Sequence, residues 1–249
     1  MRYRWLLIFW ITACSLWGNN AASLNRQFIH FYLKGDMVAW KQAVDSLRAT
    51  RLDAATERVL LFAEYGLIGN YIGSGRKEEA KAEIPHFEAR IERALARRPN
   101  DGELYAFSAA LVAYRIALQP WRAPFLGHSH TSKLERALQL SAGKGLPLVE
   151  QANSLYFRPS FVGGDKHLAI GAYEKAFEYY KSFEREHWMY YNVGAWLAQA
   201  YAGAGDKARA EKLYLQLLQE APNFSWVRDE LLPELRKGKT PSNFFPDLE

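Results

Sequence analysis

The clearest pattern in the chain is YNVGAWLAQAYAGAGDKARAEKLYLQLLQEAP at residues 191–222. Apolar and small residues recur three and four positions apart on both sides of the turn Ala204-Gly205-Asp206, a spacing that places them on one face of each of two α-helices. Glycine accommodates the left-handed backbone that ends a helix, and the aspartate after it can cap the next helix. The stretch therefore predicts a helix, a tight turn and a second helix.

The same kind of turn recurs along the chain. The three further turns are Lys34-Gly35-Asp36, Ser74-Gly75-Arg76 and Gly163-Gly164-Asp165. With glycines counted at 35, 75, 164 and 205, the spacings are 40, 89 and 41 residues. Because the middle spacing is close to two periods, a degenerate turn is expected near residue 120, and residues 119–131 predict an expanded loop there. Ser132 and Glu135 then form a capping box that predicts the start of the next helix.

A period near 40 residues built from helix–turn–helix units is typical of an α-solenoid. The chain is predicted to form five hairpins, with helices over 24–34 and 36–49, 54–73 and 76–98, 101–118 and 132–142, 146–157 and 165–184, and 187–203 and 206–221. A final helix over 225–237 is expected to cap the last hairpin, followed by an extended tail over 238–249. We expect Pro85 to kink its helix and Pro159 to interrupt another.

On these residues the chain resembles the tetratricopeptide repeat (TPR) family. When Pro222 is aligned with the closing proline of the family pattern, the residues on consensus positions are Leu197, Ala198, Tyr201, Gly205, Ala210, Tyr214 and Pro222. Leu217 and Gly194 depart from the pattern, and the other hairpins match it more weakly. The resemblance implies an all-α fold, a right-handed α-solenoid of about five hairpins over residues 24–237, in which the consensus residues are structural.

The resemblance also implies a binding groove, because the first helix of each hairpin lines the concave surface in this family. The groove positions carried over are Phe62, Tyr65, Gln151, Ser154, Arg158, Asn192 and Gln199. Amides, aromatic rings and one arginine suit an extended peptide or a small polar ligand. More loosely, the chain looks like exported, often lipid-anchored repeat proteins of Gram-negative envelopes, some of which attend transporters or assembly machines.

Residues 1–23 predict an export signal. Two arginines precede an apolar run of 13 residues over 5–17, which as a helix spans about 20 Å and is too short for a bilayer core of about 30 Å. Ile11-Thr12-Ala13-Cys14 resembles the lipobox of bacterial lipoproteins, in which Cys14 becomes the lipidated first residue. The alternative is ordinary cleavage near Ser23. We favour a lipoprotein on the periplasmic side of the outer membrane over a soluble periplasmic or secreted protein.

Composition excludes several classes of protein. Apolar residues make up 49% of the chain, aromatic residues 14% and charged residues 24%, which is typical of a folded chain and not of a disordered one. A single cysteine excludes a disulfide framework and a cysteine-cluster zinc site. The net charge of +5 becomes 5 − 2 = +3 without Arg2 and Arg4. Since the remaining basic residues lie beside acidic ones, we predict no nucleic-acid partner.

The sequence offers no motif for catalysis. It contains no nucleophile elbow, phosphate loop or dinucleotide fingerprint. His128 and His130 are the only close histidine pair, and a metal would need further ligands that the spacing does not supply. We therefore predict a protein that is not an enzyme and holds no metal or cofactor.

Two segments contain more aromatic residues than helix packing requires. The segment 153–165 contains Arg158, for which two interpretations are open: a binding lip where Arg158 recognises a carboxylate, or a kinked helix where it pairs with a neighbouring acid. The segment 121–126, with Trp121 and Phe125, is either a second lip or a plug over the ends of neighbouring helices.

The sequence thus predicts a non-enzymatic, protein-binding scaffold of a bacterial envelope. Its expected partner is another envelope protein or peptide, and its membrane contact is through a lipid anchor alone. One alternative is a periplasmic accessory of a transport system that holds a small ligand, which an enclosed aromatic cavity near Arg158 and Trp121 would favour. Another is an enzyme, which buried carboxylates beside His128 or His130 would favour.

Overall fold

The computed structural model describes residues 21–141 and 143–239, and every regular element in those ranges is a helix. The all-α prediction is confirmed for that part of the chain. Cys14 and the tail from residue 240 onward lie outside the described residues. The helices are α1 (21–34), α2 (Met37–Arg48), α3 (Ala54–Gly73), α4 (Lys77–Arg97), α5 (Gly102–Leu118), α6 (Ala123–Leu140), α7 (Gly145–Phe157), α8 (Lys166–Phe183), α9 (Trp188–Gly203), α10 (Lys207–Glu220) and α11 (Leu232–Arg236).

The predicted turns have the predicted chemistry. The left-handed residues of the four turns, with φ from 68° to 92°, are Gly35, Gly75, Gly163 and Gly205. In the third turn the left-handed residue is therefore Gly163, one position before the glycine counted from the sequence. The carboxylates of Asp36, Asp165 and Asp206 each accept a backbone N–H from the first turn of the following helix. Local sequence thus specifies where four of the hairpins reverse.

The prediction of an expanded loop over 119–131 is wrong. A short 3₁₀ helix at Pro120–Arg122 leads directly into α6, which begins at Ala123. Pro120 and Pro124 each lie at the start of their helix, where a missing backbone N–H costs no hydrogen bond. Ser132 and Glu135 consequently lie inside α6 and do not cap it.

The two prolines that were expected to disturb a helix, Pro85 and Pro159, behave differently from each other. Helix α4 continues through Pro85 without a break in its assignment. Helix α7 ends at Phe157, and Pro159 leads into a 3₁₀ turn at Ser160–Val162. The predicted interruption at Pro159 is confirmed, and it creates the longest connection within any of the hairpins.

Consecutive helices pack side by side, and burial alternates along the chain. Helix α9 buries 12 of its 16 residues and α3 buries 12 of 20, so both are covered on nearly all sides. Helix α10 buries only 4 of 14 residues and α4 buries 6 of 21. In the four hairpins from α3 to α10 the first helix is therefore more buried, and the second shields it from solvent.

The first and last hairpins meet in the interior. Trp188 at the start of α9 is 3% exposed and contacts Tyr32 of α1 and Trp40 of α2, with ring centroids 5.3 and 5.2 Å away. A Cβ atom at Gly66 of α3 would lie 2.9 Å from Trp188, so glycine is what allows the indole to pack there. Asn192 Nδ2 donates a hydrogen bond of 3.0 Å to the Tyr32 hydroxyl. Helices far apart in sequence thus share one core.

The C-terminal cap forms where it was predicted. A π-helix at Trp226–Leu231 continues into α11, and together they bury a row of apolar side chains against the last hairpin. Those side chains are Val227, Leu231, Leu232 and Leu235. Burial of this row removes the apolar end of the last hairpin from solvent.

Candidate functional site

Most of the exposed large apolar side chains gather in one region. Of the eight such side chains among the described residues, five belong to the segments 121–125 and 161–168. We call these five the aromatic end face: Trp121, Phe125, Phe161, Val162 and Leu168. Their exposed fractions run from 50% to 87%. A concentration of this kind on an otherwise polar helical protein marks a contact surface.

The topology brings the two segments to the same end of the molecule. Since packed helices joined by short turns run antiparallel, the turns within the hairpins all lie at one end. The α5–α6 turn carries Trp121, and Phe125 follows in the first turn of α6; the α7–α8 turn carries Phe161 and Val162. Leu168 follows in the first turn of α8. The aromatic end face is therefore built from two neighbouring hairpins.

Arg158 connects these two hairpins beneath the aromatic end face. Its Nη2 donates to Ser154 Oγ at 2.7 Å and lies 3.3 Å from His130 Nδ1 and 3.5 Å from Thr131 Oγ1 of α6. Its Nη1 lies 3.5 Å from the carbonyl oxygen of Val162. The guanidinium thus holds the 160–162 turn against α6.

None of these contacts is to an acid. No ion pair joins Arg158 to a carboxylate within residues 21–141 and 143–239, so the interpretation in which it pairs with a neighbouring acid is wrong for this part of the chain. Burial, together with the adjacent Arg158, lowers the pKa of His130 to about 4. The neutral ring with its proton on Nε2 presents Nδ1 as an acceptor for the guanidinium.

Cations outnumber acids in the two segments that build the aromatic end face. Residues 119–134 and 153–172 contain four cations and a single acid, Asp165. The four cations are Arg122, Lys133, Arg158 and Lys166. One oxygen of Asp165 already accepts two backbone N–H groups at the start of α8. These two segments thus combine exposed apolar side chains with an excess of cations.

Three of the seven groove residues expected from the TPR resemblance lie in the core. Phe62, Tyr65 and Gln199 are buried, with Phe62 packed against Phe107 and His187. Asn192 is half-buried and bonded to α1, as described above. A partner at the surface of this conformation therefore cannot contact the three buried side chains.

The remaining expected site residues lie nearer the surface. Gln151, Ser154 and Arg158 of α7 and its C-cap are half-buried. The two residues expected to form a lip, Trp121 and Phe125, are 67% and 77% exposed. Of all the expected site residues, Arg158, Ser154, Trp121 and Phe125 are the ones that the fold brings to one accessible region.

The interior contains a polar network that sequence reasoning missed. Glu150 Oε1 accepts hydrogen bonds from the Tyr65 hydroxyl at 2.8 Å and from Asn153 Nδ2 at 3.0 Å. The Tyr173 hydroxyl donates to Asn153 Oδ1 at 2.7 Å. Burial raises the pKa of Glu150 to about 7, although both hydrogen bonds favour the charged carboxylate. No sequence signal distinguishes this glutamate from those on the surface.

Two groups of ion pairs were also missed. Arg48 contacts the buried Glu64 and Glu83, each at 2.7 Å, and ties α2 to α3 and α4. Arg58 donates to Glu103 and to Glu184, which joins the start of α3 to α5 and to the end of α8. Since each guanidinium is paired with two carboxylates that join different helices, we assign these groups a structural role.

The two best-formed concavities among residues 21–141 and 143–239 lie away from Arg158. One is a crevice of about 10 Å³ lined by Tyr214 and Leu235, enough for one water molecule. The other is an open trough of about 630 Å³ along the exposed side of α10, from Ala208 to Gln219. The enclosed aromatic cavity that would favour a small-ligand accessory is not one of them.

The described residues also provide little for metal chemistry. Within them, no three potential metal-ligating side chains come together. His130 meets Arg158 and not a carboxylate, so the arrangement that would favour an enzyme does not form there. None of the described helices is both long and apolar enough to cross a membrane.

Comparison of the chain with models of known protein families, with curated proteins and with solved structures gives no match.

Proposed function

We propose that the protein is a non-enzymatic binding scaffold of a bacterial envelope, built as a tightly wound right-handed α-solenoid of TPR-like hairpins. The regular turn chemistry and the interior position of the first helix in four of the five hairpins support the repeat architecture. The contacts of Trp188 with the first two hairpins favour a closely wound form over an open one, since in an open solenoid each repeat contacts only its neighbours. In this form the interior cannot serve as an open peptide groove.

The aromatic end face carries the proposal. Exposed tryptophan and phenylalanine cost solubility, and they supply much of the binding energy where proteins meet. Short turns and the Arg158 contacts hold these side chains on a rigid framework, so little conformational entropy is lost when a partner binds. The expected partner is another envelope protein or peptide.

Replacing Phe125 and Phe161 by serine together is expected to reduce capture of that partner about tenfold, because two exposed apolar contacts are lost. The measurement is quantitative affinity capture from envelope extracts with equal amounts of folded protein. Phe183→Ser is the matched control, since Phe183 is 76% exposed but lies at the end of α8, at the opposite end of the molecule. Equal capture by the double variant and wild type contradicts the proposal, as does the failure of wild type to retain any partner.

Export and lipidation complete the proposal. If Cys14 carries the lipid, Cys14→Ser is expected to move the protein from the membrane fraction to the soluble fraction, because several buried methylene groups per acyl chain are lost from the bilayer. The measurement is fractionation followed by quantitative immunoblotting. Ser15→Ala, which leaves the cysteine in place, is the control. An unchanged distribution for Cys14→Ser contradicts lipidation, and a wild type already in the soluble fraction favours cleavage near Ser23.

A further inference from the structure

We propose that Arg158 is the receptor for a carboxylate on the partner, so that the aromatic end face recognises a protein segment in which Asp or Glu is flanked by apolar side chains. This inference rests on the proposed function, since it names the chemistry of the partner at the same surface.

The first observation is the unusual environment of Arg158. Two other arginines provide the contrast. Arg48 and Arg58 each contact two carboxylates. Arg158 is half-buried and contacts two hydroxyl groups, an imidazole nitrogen and a carbonyl oxygen, all of them neutral. Its positive charge is therefore held in a fixed position and is not compensated by any described ion pair.

The second observation is the number of donors left over. A guanidinium has five N–H donors, and the contacts of Arg158 involve its two Nη atoms. Among the described residues, none accepts a hydrogen bond from its Nε. Gly163 lies close to Nη1 without covering it, since a Cβ atom there would be 3.7 Å from that nitrogen. Donors on Nε and on the Nη atoms thus remain for a ligand.

The third observation is the way the guanidinium is oriented. The hydroxyl of Ser154, one turn earlier in α7, and the ring of His130 hold Nη2 from two different helices. Because the low pKa of His130 keeps its ring neutral, this support persists at neutral and mildly acidic pH. A planar donor group fixed in this manner suits a carboxylate, whose two oxygens lie in one plane.

Charge and shape indicate a protein segment as the occupant. The cations around the end face outnumber the single acid, Asp165, so an acidic segment is attracted there. A lipid surface carries many mobile anions and is served best by exposed, flexible lysines. Here one half-buried arginine lies beside the turn that carries the exposed Phe161 and Val162, an arrangement that selects one anion with apolar neighbours.

The test is selection of random displayed peptides on the immobilised full-length protein, with vesicles of phosphatidylglycerol and phosphatidylcholine as a second probe. Peptides enriched by wild type are expected to contain Asp or Glu between apolar residues. Arg158→Gln, and exchange of the peptide acid for its amide, should each weaken binding roughly tenfold or more. The two changes combined should weaken peptide binding little more than either change alone, because they remove the same contact.

Controls separate a lost contact from a lost fold. Arg26→Gln removes a guanidinium whose side chain is 62% exposed and which belongs to α1, outside the two hairpins that build the aromatic end face; it should leave peptide binding unchanged. Arg158→Lys retains the charge and should recover only part of the affinity. Each variant is compared with wild type by thermal melting, and a variant that melts early is replaced by Ser154→Ala, which frees the guanidinium and should weaken binding less.

Three results would overturn the inference. The first is enrichment of peptides without an acid that Arg158→Gln still binds; if those peptides require Phe125 and Phe161, the proposed function stands while the carboxylate receptor fails. The second is that wild type enriches no peptides beyond those that Arg158→Gln also enriches. The third is Arg158-dependent binding to phosphatidylglycerol vesicles without peptide enrichment, which would assign the surface to lipid.

Discussion

Replacing Trp188 by alanine is expected to lower the free energy of unfolding by about 3–5 kcal/mol. Trp188 is 3% exposed and fills the space between α1, α2, α3 and α9. Its removal leaves a cavity lined by rigid rings that cannot collapse into it. Guanidinium denaturation measures the loss as a lower midpoint with an unchanged m value.

Trp121→Ala provides the matched control, because it removes the same side chain from a position that is 67% exposed. This change is expected to alter stability by no more than about 0.5 kcal/mol. If Trp188→Ala fails to fold, Trp188→Phe retains part of the packing and should be intermediate. A loss below about 1 kcal/mol for Trp188→Ala would show that the last hairpin does not share a core with the first two.

Replacing Glu150 by glutamine is expected to remove a loss of stability that occurs in the wild type as pH rises from about 5 to 8. Glutamine has the same shape, and its Oε1 can still accept from Tyr65 and Asn153, but it cannot ionise. At pH 8 the variant should be more stable than wild type, by on the order of 3 kcal/mol at most. At about pH 4 and below the two should be nearly equal.

The direction of this pH effect on stability follows from the two protonation states of Glu150. The folded-state pKa of Glu150 is about 7, above its ordinary value of 4.5, because the carboxylate is buried without a described cation. Between these values the folded protein binds more protons than the unfolded chain, so the free energy of unfolding falls as pH rises. Below pH 4.5 the stabilising proton is bound in both states, and above pH 7 it is lost from both.

His130 and His187 contribute in the opposite direction. Burial lowers the pKa of both rings, so stability from these residues is lost as pH falls below the ordinary histidine value. The informative quantity is therefore the difference in free energy of unfolding between Glu150→Gln and wild type at each pH, because the histidine contributions cancel in that difference. Glu186 is 82% exposed, so for Glu186→Gln this difference in free energy of unfolding should not change with pH. If the difference between Glu150→Gln and wild type also stays constant with pH, position 150 does not hold a buried, uncompensated carboxylate.

The features predicted correctly from sequence are local ones. Gly35, Gly75 and Gly205 adopt left-handed backbone, and Asp36 and Asp206 cap the helices that follow. Each depends on the chemistry of a few consecutive residues, so the pattern can be recognised without knowledge of the rest of the chain. The wrong prediction of a loop over 119–131 also has a local cause. Pro120 and Pro124 are residues typical of loops, but here each begins a helix.

The candidate site was predicted only in part. Arg158, Trp121 and Phe125 were singled out as unusual, but whether Arg158 meets an acid depends on which side chains of α6 lie opposite. The expected groove residues Phe62 and Tyr65 are buried because interior helices of hairpins far apart in sequence pack against each other. Glu150 was missed because its burial, and not its sequence neighbourhood, makes it unusual.

The amino-acid sequence is sufficient to indicate most of the helices and the four glycine turns with their caps, because capping, backbone conformation and apolar periodicity act over a few residues. The packing of Trp188 against Tyr32 and Trp40, the burial of Glu150 beside Tyr65 and the exposure of the aromatic end face follow from the arrangement of whole helices. These contacts join residues that are as many as 160 positions apart, as Tyr32 and Asn192 are. No local pattern encodes such a pair, since its formation depends on the summed geometry of every helix and turn between the two residues.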